Sequence, residues 1–183
     1  MDEWPLLVLC PKSLGANWRA ELGNWLPKAG VVATRAYVLG AKDELVLGGA
    51  GRVVIASYDT ATRRSSELGS AKFGMIIADE SHTLKSADAQ RSKALLPLIS
   101  GAKRALLLSG TPLPSRPAEI FTQANALRPR IFRARRPFEE RFCQGHQDRF
   151  GWNAKGAANL PELHAVLLHA VSSFPVSPSQ IVP

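Results

Sequence analysis

The sequence predicts an α/β fold, a parallel sheet with helices on both faces, and three observations predict it. Short apolar runs recur along the chain, they lack the polar alternation of a half-exposed strand, and segments of crossover length with helical spacing separate them. A sheet covered on both faces needs that combination.

The runs are Leu6 to Cys10, Arg35 to Leu39, Val53 to Ser57, Met75 to Ala78 and Arg104 to Leu108. Between the first two, Leu14, Trp18, Leu22, Trp25 and Leu26 recur at helical spacing, and Pro27 is expected to close that helix. Ala87 to Leu96 reads as a helix ending before Pro97, and Pro117 to Leu127 as another, with Pro in the first turn where its missing N–H is harmless. Asn159 followed by Glu162 resembles a capping box opening a last helix through Ala170. The segment SSFPVSPSQIVP, residues 172–183, carries three prolines and no charge, so it is expected to be a disordered tail beyond a single lobe at 1–171.

The chain has 183 residues, a formal net charge of +8 and 45% hydrophobic residues, which suits a globular domain. The charge is uneven: residues 101–155 hold eleven Lys/Arg against Glu119, Glu139, Glu140 and Asp148, a local balance of +7. That bias suits a polyanionic partner or an arginine-rich solvated surface. Cys10 and Cys143 form neither a disulfide framework nor a zinc pattern, and the apolar runs are far shorter than a membrane span. The acidic start Met1-Asp2-Glu3 lacks the basic region of a signal peptide, so a reducing compartment, nuclear or cytoplasmic, is expected.

Chemistry concentrates at Met75 to His82, where an apolar strand ends in the adjacent carboxylates Asp79 and Glu80. In a parallel α/β sheet, ligands bind beyond the carboxyl ends of strands. There one carboxylate can hold Mg²⁺ through its water shell while the next polarises a water for attack on a γ-phosphate. A solvated loop is the other reading of such a pair. The next strand ends in Ser109-Gly110-Thr111-Pro112, small hydroxyls and a glycine able to sit against the acidic pair, or simply a turn.

Together these segments resemble the first lobe of SWI/SNF-related helicase-like ATPases of superfamily two. Leu6 to Leu14 with Trp18 resembles motif Ia, Val54 to Asp59 resembles motif Ib, Asp79 to His82 the DESH box, and Leu107 to Pro112 motif III. Within the family, Ser115 to Phe121, Gly151-Trp152-Asn153 and Ala158 to Leu163 look most like the HARP-type annealing helicases.

The resemblance implies a RecA-like lobe of a DNA-dependent ATPase that remodels forks or chromatin, works in DNA repair and is nuclear in a eukaryote. It implies ATP and Mg²⁺ as cofactors, DNA with a fork or single-strand/double-strand junction as partner, and a second motor lobe. Asp79 would support Mg²⁺, Glu80 would be the catalytic base, and His82 would bridge the nucleotide site to motif III. Ser109, Gly110 and Thr111 would couple nucleotide state to DNA grip. Lys12, Ser13, Ser57 and Tyr58 fall where family members contact the DNA backbone, as does Trp18, whose helical spacing also suits a core role. Arg133, Arg135 and Arg136, in an arginine cluster with Phe132 and Phe138, suit phosphate contact or packing against the rest of the motor. His146, His164 and His169 lack ligand spacing.

One departure matters. No GxxxxGK[ST] pattern occurs in the sequence, so the phosphate loop and its strand are expected to be missing, and these residues alone are expected not to hydrolyse ATP. The family places that strand beside Arg104 to Leu108, which would leave an apolar edge. Past Val171 the family continues with a basic segment, which SSFPVSPSQIVP does not resemble. The alternatives from other classes are a non-catalytic DNA- or chromatin-binding fragment and a gene fragment without function.

Overall fold

Five apolar runs become five parallel strands, β1 (Leu6–Cys10), β2 (Arg35–Leu39), β3 (Arg52–Ser57), β4 (Met75–Ala78) and β5 (Arg104–Leu107). Their order across the sheet is β2-β3-β1-β4-β5. The computed structural model describes residues 4–31, 35–47, 51–110 and 117–171. Thr111, Pro112, Ser115, Arg116 and the tail 172–183 therefore lie outside the described residues. The chain divides into two compact units, Met1–Leu113 and Pro114–Pro183.

In the first unit, side-chain alternation sorts each strand onto two faces. Leu6, Val8 and Cys10 join Val53, Ile55 and Ile77 on one face, where they meet Leu14, Trp18, Leu22 and Leu26. The last three belong to α1 (Gly15–Lys28), and Leu14 ends the single 3₁₀ turn that precedes it. Leu7, Leu9, Val54 and Ile76 point the other way and are equally buried. On that side α2 (Tyr58–Arg63) packs on β1, β3 and α4 (Gln90–Gly101), and α3 (Ser65–Ser70) also packs on α4. Both faces are thus covered, which is why the strands read as unbroken apolar runs. Among the described strands β5 pairs with β4 alone, and the side chains of Ala105, Leu106 and Leu107 are only half-buried.

Two proline expectations shift. Pro27 lies inside α1 rather than closing it, and Pro97 lies inside α4, which continues to Gly101. A mid-helix proline costs about 3 kcal/mol. Continuing α4 buries Ile99 in the core, worth roughly 1.5–3 kcal/mol, which offsets most of that cost.

The second unit contains α5 (Ala118–Leu127), α6 (Arg135–Phe142), an antiparallel hairpin of β6 (His146–Asp148) and β7 (Gly151–Asn153), and α7 (Leu160–Ala170). Its core is aromatic: the Phe138 ring lies 5.2 Å from Phe121, 6.1 Å from Phe132 and 5.1 Å from Phe142, centre to centre. Tilted and edge-on pairs of this kind add to burial. The expected capping box does not form. Asn159 has a left-handed backbone, φ 50°, and its side-chain amide donates to the Arg141 carbonyl at 2.9 Å, while Glu162 pairs with Arg141 at 2.6 Å.

Candidate nucleotide and DNA site

Parallel pairing brings the carboxyl ends of β1, β3, β4 and β5 to one rim of the sheet, and the chemistry-bearing residues of the first unit sit there. The β4 ladder runs past the strand's end: Asp79 N–H donates to the Leu9 carbonyl, Leu108 N–H to Ala78 and Ser81 N–H to Leu108, each at 2.8 Å. These bonds fix the backbone of the acidic turn from both sides. Between them Glu80 takes a left-handed conformation, φ 51°, costly for a residue with a side chain.

Asp79 is held at every polar atom, its N–H by the Leu9 carbonyl and the other three as follows. The Trp18 indole N–H donates to Oδ2 at 2.9 Å, the Glu80 backbone N–H to Oδ1 at 2.9 Å, and the Tyr58 hydroxyl to its carbonyl at 2.7 Å. Glu80 and motif III meet through a histidine. Nδ1 of His82 stands 3.1 Å from Glu80 Oε2 and 3.4 Å from Ser109 Oγ. A Cβ placed on Gly110 would come within 4.0 Å of Glu80 Oε1, so the motif III backbone runs beside the second carboxylate. The residues expected to form one site, Asp79, Glu80, His82, Ser109 and Gly110, are brought together; Thr111 lies outside the described residues.

The site's field reaches into the sheet. Burial, and after it the Asp79 charge, push the Cys10 thiol up to about 11, and burial raises the Tyr58 phenol above its ordinary value. An ionised carboxylate offers about four lone-pair positions, so the two donors on Asp79 leave room for a cation's water shell. Among the described residues no group of three or more His, Cys, Asp or Glu could cage a metal. An all-oxygen pair without a cage fits Mg²⁺, which keeps most of its waters and takes one or two carboxylates together with phosphate oxygens.

A family model described as the SNF2-related domain matches residues 2–173. The chain belongs to the SNF2-related family. It is 40% identical over 169 residues to the SWI/SNF-related matrix-associated actin-dependent regulator of chromatin subfamily A-like protein 1 of Bos taurus, covering 92% of this chain and 17% of that protein. To the DNA annealing helicase and endonuclease ZRANB3 of Homo sapiens it is 37% identical over 174 residues, covering 91% and 16%. The chain thus spans about a sixth of the length of these curated relatives. Among solved structures, the Sulfolobus solfataricus SWI2/SNF2 ATPase core in complex with dsDNA aligns with a TM-score of 0.67 at 20% identity, covering 93% of this chain and 33% of that one. The parallel five-stranded sheet with flanking helices is therefore the fold of an SNF2 core lobe.

In this SNF2-related chain the four residues expected at a DNA backbone divide. Lys12 and Ser13 are exposed on the 3₁₀ turn after β1. Ser57 caps α2 by accepting the Thr60 N–H at 3.2 Å, and Tyr58 is 4% exposed with its hydroxyl on Asp79. The arginine cluster is largely engaged within the second unit. Arg135 pairs with Glu139 at 2.6 Å, Arg136 with Glu140 at 3.5 Å, and Arg133 Nε donates to the Arg130 carbonyl at 3.0 Å. Phe132 and Phe138, interleaved with these arginines in sequence, are core rather than surface.

Residue-by-residue sequence reading does not reach two connections. The Trp18 link to Asp79 spans 61 positions and carries no local signal. Glu139, counted in the sequence only as a charge, is 5% exposed and accepts the Trp152 indole N–H at 2.6 Å. The one available signal was an acid set among arginines four residues from a partner of opposite sign.

Proposed function

We propose that this chain supplies the acidic half of the nucleotide site in a DNA-dependent ATPase motor acting at forked or junction DNA. The observation that carries the reading is the His82 bridge between the Glu80 carboxylate and Ser109 at the ends of two neighbouring strands. ATP with Mg²⁺ would supply the phosphoryl group to be transferred. Asp79, fixed by Trp18, Glu80 N–H and Tyr58, would hold the metal's waters, and Glu80 would take the proton of the attacking water. His82 would then pass any displacement of Glu80 to Ser109 and, with Gly110 and Thr111, on to the DNA-bound surface. Lys12 and Ser13, exposed at the same rim, suit a phosphate backbone; Ser57 and Tyr58 would serve by shaping that rim.

The relatives named above are a chromatin regulator and a DNA annealing helicase, and the solved core was captured on dsDNA. Their names support nuclear work on DNA for this chain. Backbone N–H groups and a Lys around the β/γ-phosphates supply most nucleotide affinity in such sites, and the 183 residues hold no GxxxxGK[ST] pattern. A phosphate loop and a second lobe with its arginine are therefore partners this reading requires. The test joins the chain to both and measures DNA-stimulated hydrolysis. Glu80→Gln should lower turnover at least about a hundredfold while nucleotide binding persists. Turnover within a few-fold of the parent would overturn the assignment of Glu80, and turnover by the 183 residues alone would overturn the need for the loop.

A further inference from the structure

The hairpin of the second unit is held rigidly at its base and carries an unexplained aromatic at its tip. At the base, Trp152 donates to buried Glu139 at 2.6 Å, and the Arg136 guanidinium lies 4.4 Å over its ring. Gly145 lets the entering chain pass close: a Cβ there would meet Trp152 Cζ2 at 2.7 Å and the Glu139 carbonyl carbon at 2.8 Å. Across the strands, Asn153 donates to Asp148 Oδ2 at 3.2 Å, and Asp148 Oδ1 accepts the Phe150 backbone N–H at 2.8 Å. The loop itself is two residues, Arg149 and Phe150, because Asp148 pairs with Gly151. Gly151 carries the turn's positive φ, 124°, so the two tip residues keep ordinary backbones and need not be Gly or Asn.

Phe150 is 84% exposed, the most exposed large apolar residue described, and Arg149 sits 4.7 Å over its ring. It packs into no core, and a polar residue would serve the turn equally well. The cation set against the ring is Arg149, and a second guanidinium, Arg136, lies on Trp152 at the hairpin's base. The nearby acid, Asp148, is engaged in the turn, where the Phe150 N–H holds its carboxyl below the ordinary range.

We propose that the Arg149–Phe150 tip is a stacking platform for an unpaired DNA base, with Arg149 on the adjoining phosphate. Duplex backbone would need only the cation; a flat, presented ring beside it fits a base that has left its stack. Every base offers a π-face, so the contact is tolerant of sequence and selects unpaired over paired DNA. The inference rests on the DNA-motor reading and adds to it the feature of the substrate that this chain recognises.

The experiment uses the full chain, with fluorescence anisotropy against a single-stranded oligothymidine and against a duplex of equal length at one fixed salt concentration. Phe150→Ala should weaken single-strand binding about tenfold, within the range for loss of one base–aromatic stack, and leave duplex binding within about twofold. Phe150→Trp should retain single-strand affinity, and its added indole fluorescence should be quenched on binding. Because the ring is exposed, both variants should keep the parent's unfolding midpoint. Single-strand affinity unchanged in Phe150→Ala overturns the platform alone, as does an equal loss for both DNAs. Loss of self-association in Phe150→Ala with DNA binding intact also overturns it, in favour of a protein contact. No binding of the parent chain to either DNA overturns the platform and the DNA-motor reading together.

Discussion

The Trp18 indole N–H donates to Asp79 Oδ2 over 2.9 Å, joining the helix that follows β1 to the carboxylate that ends β4. A hydrogen bond to a charged group is worth about 1.5–3 kcal/mol. The pair should therefore be coupled: in urea unfolding of Trp18→Phe, Asp79→Ala and the double variant, the losses should fall short of additivity by about that amount. Additive losses would mean that the Glu80 N–H alone orients Asp79.

Glu80 pays in conformation for its place, with φ at 51°. A left-handed residue with a side chain costs about 1–2 kcal/mol, and glycine returns part of that gain through chain entropy. Glu80→Gly should raise the unfolding free energy by about 0.5–1 kcal/mol while removing the proposed base. A loss of stability would show that the exposed Glu80–His82 pair contributes more than surface pairs usually do.

The second unit depends on one acid. Glu139 receives Arg135 and the Trp152 indole while its backbone carbonyl takes the Cys143 and Gly145 N–H groups. Glu139→Ala should cost about 1–3 kcal/mol, the range for a buried donor left unsatisfied. Gly145→Ala should cost a similar amount by overpacking against Trp152. Indole fluorescence during denaturation would measure both, since Trp152 reports on the contact that is lost.

Cys10 and Cys143 are both pushed up to about 11, in each case chiefly by burial. A thiol whose folded value is raised binds its proton more tightly in the native state than in the unfolded chain. Its stabilising effect is complete below the unfolded value near 9 and is lost as pH rises from there to about 11. The loss should be on the order of 2 kcal/mol per thiol. Unfolding at pH 8 and pH 11 should show the decrease, and a Cys10→Ala, Cys143→Ala chain should show a smaller one. Alkylation of either thiol at pH 8 should proceed only as fast as the protein opens.

The strands were legible because a parallel sheet covered on both faces demands runs such as Leu6 to Cys10, and nothing local competes with them. The acidic pair was legible because it follows such a run directly. Pro97 misled because the burial of Ile99 is a tertiary gain that local proline chemistry cannot register. The aromatics of the arginine cluster were illegible for a related reason: in sequence Phe132 and Phe138 look interleaved with charge, yet the helix period turns Phe138, Glu139 and Phe142 to one side and leaves Arg136 and Glu140 on another. What joins Trp18 to Asp79 is three-dimensional alone.

The sheet order has a consequence for how the chain is made. Leu6 at the head of β1 pairs with Val53 and Met75, 47 and 69 positions later. A nascent chain grows by roughly 5–20 residues per second, so β1 waits seconds for both neighbours. Until β3 is made Leu-Leu-Val-Leu-Cys has neither of these two partners, and contacts of such long sequence separation form slowly even once available. The sheet's centre is thus completed only after strands far downstream of it have been made, which makes β1 a segment that a chaperone would hold.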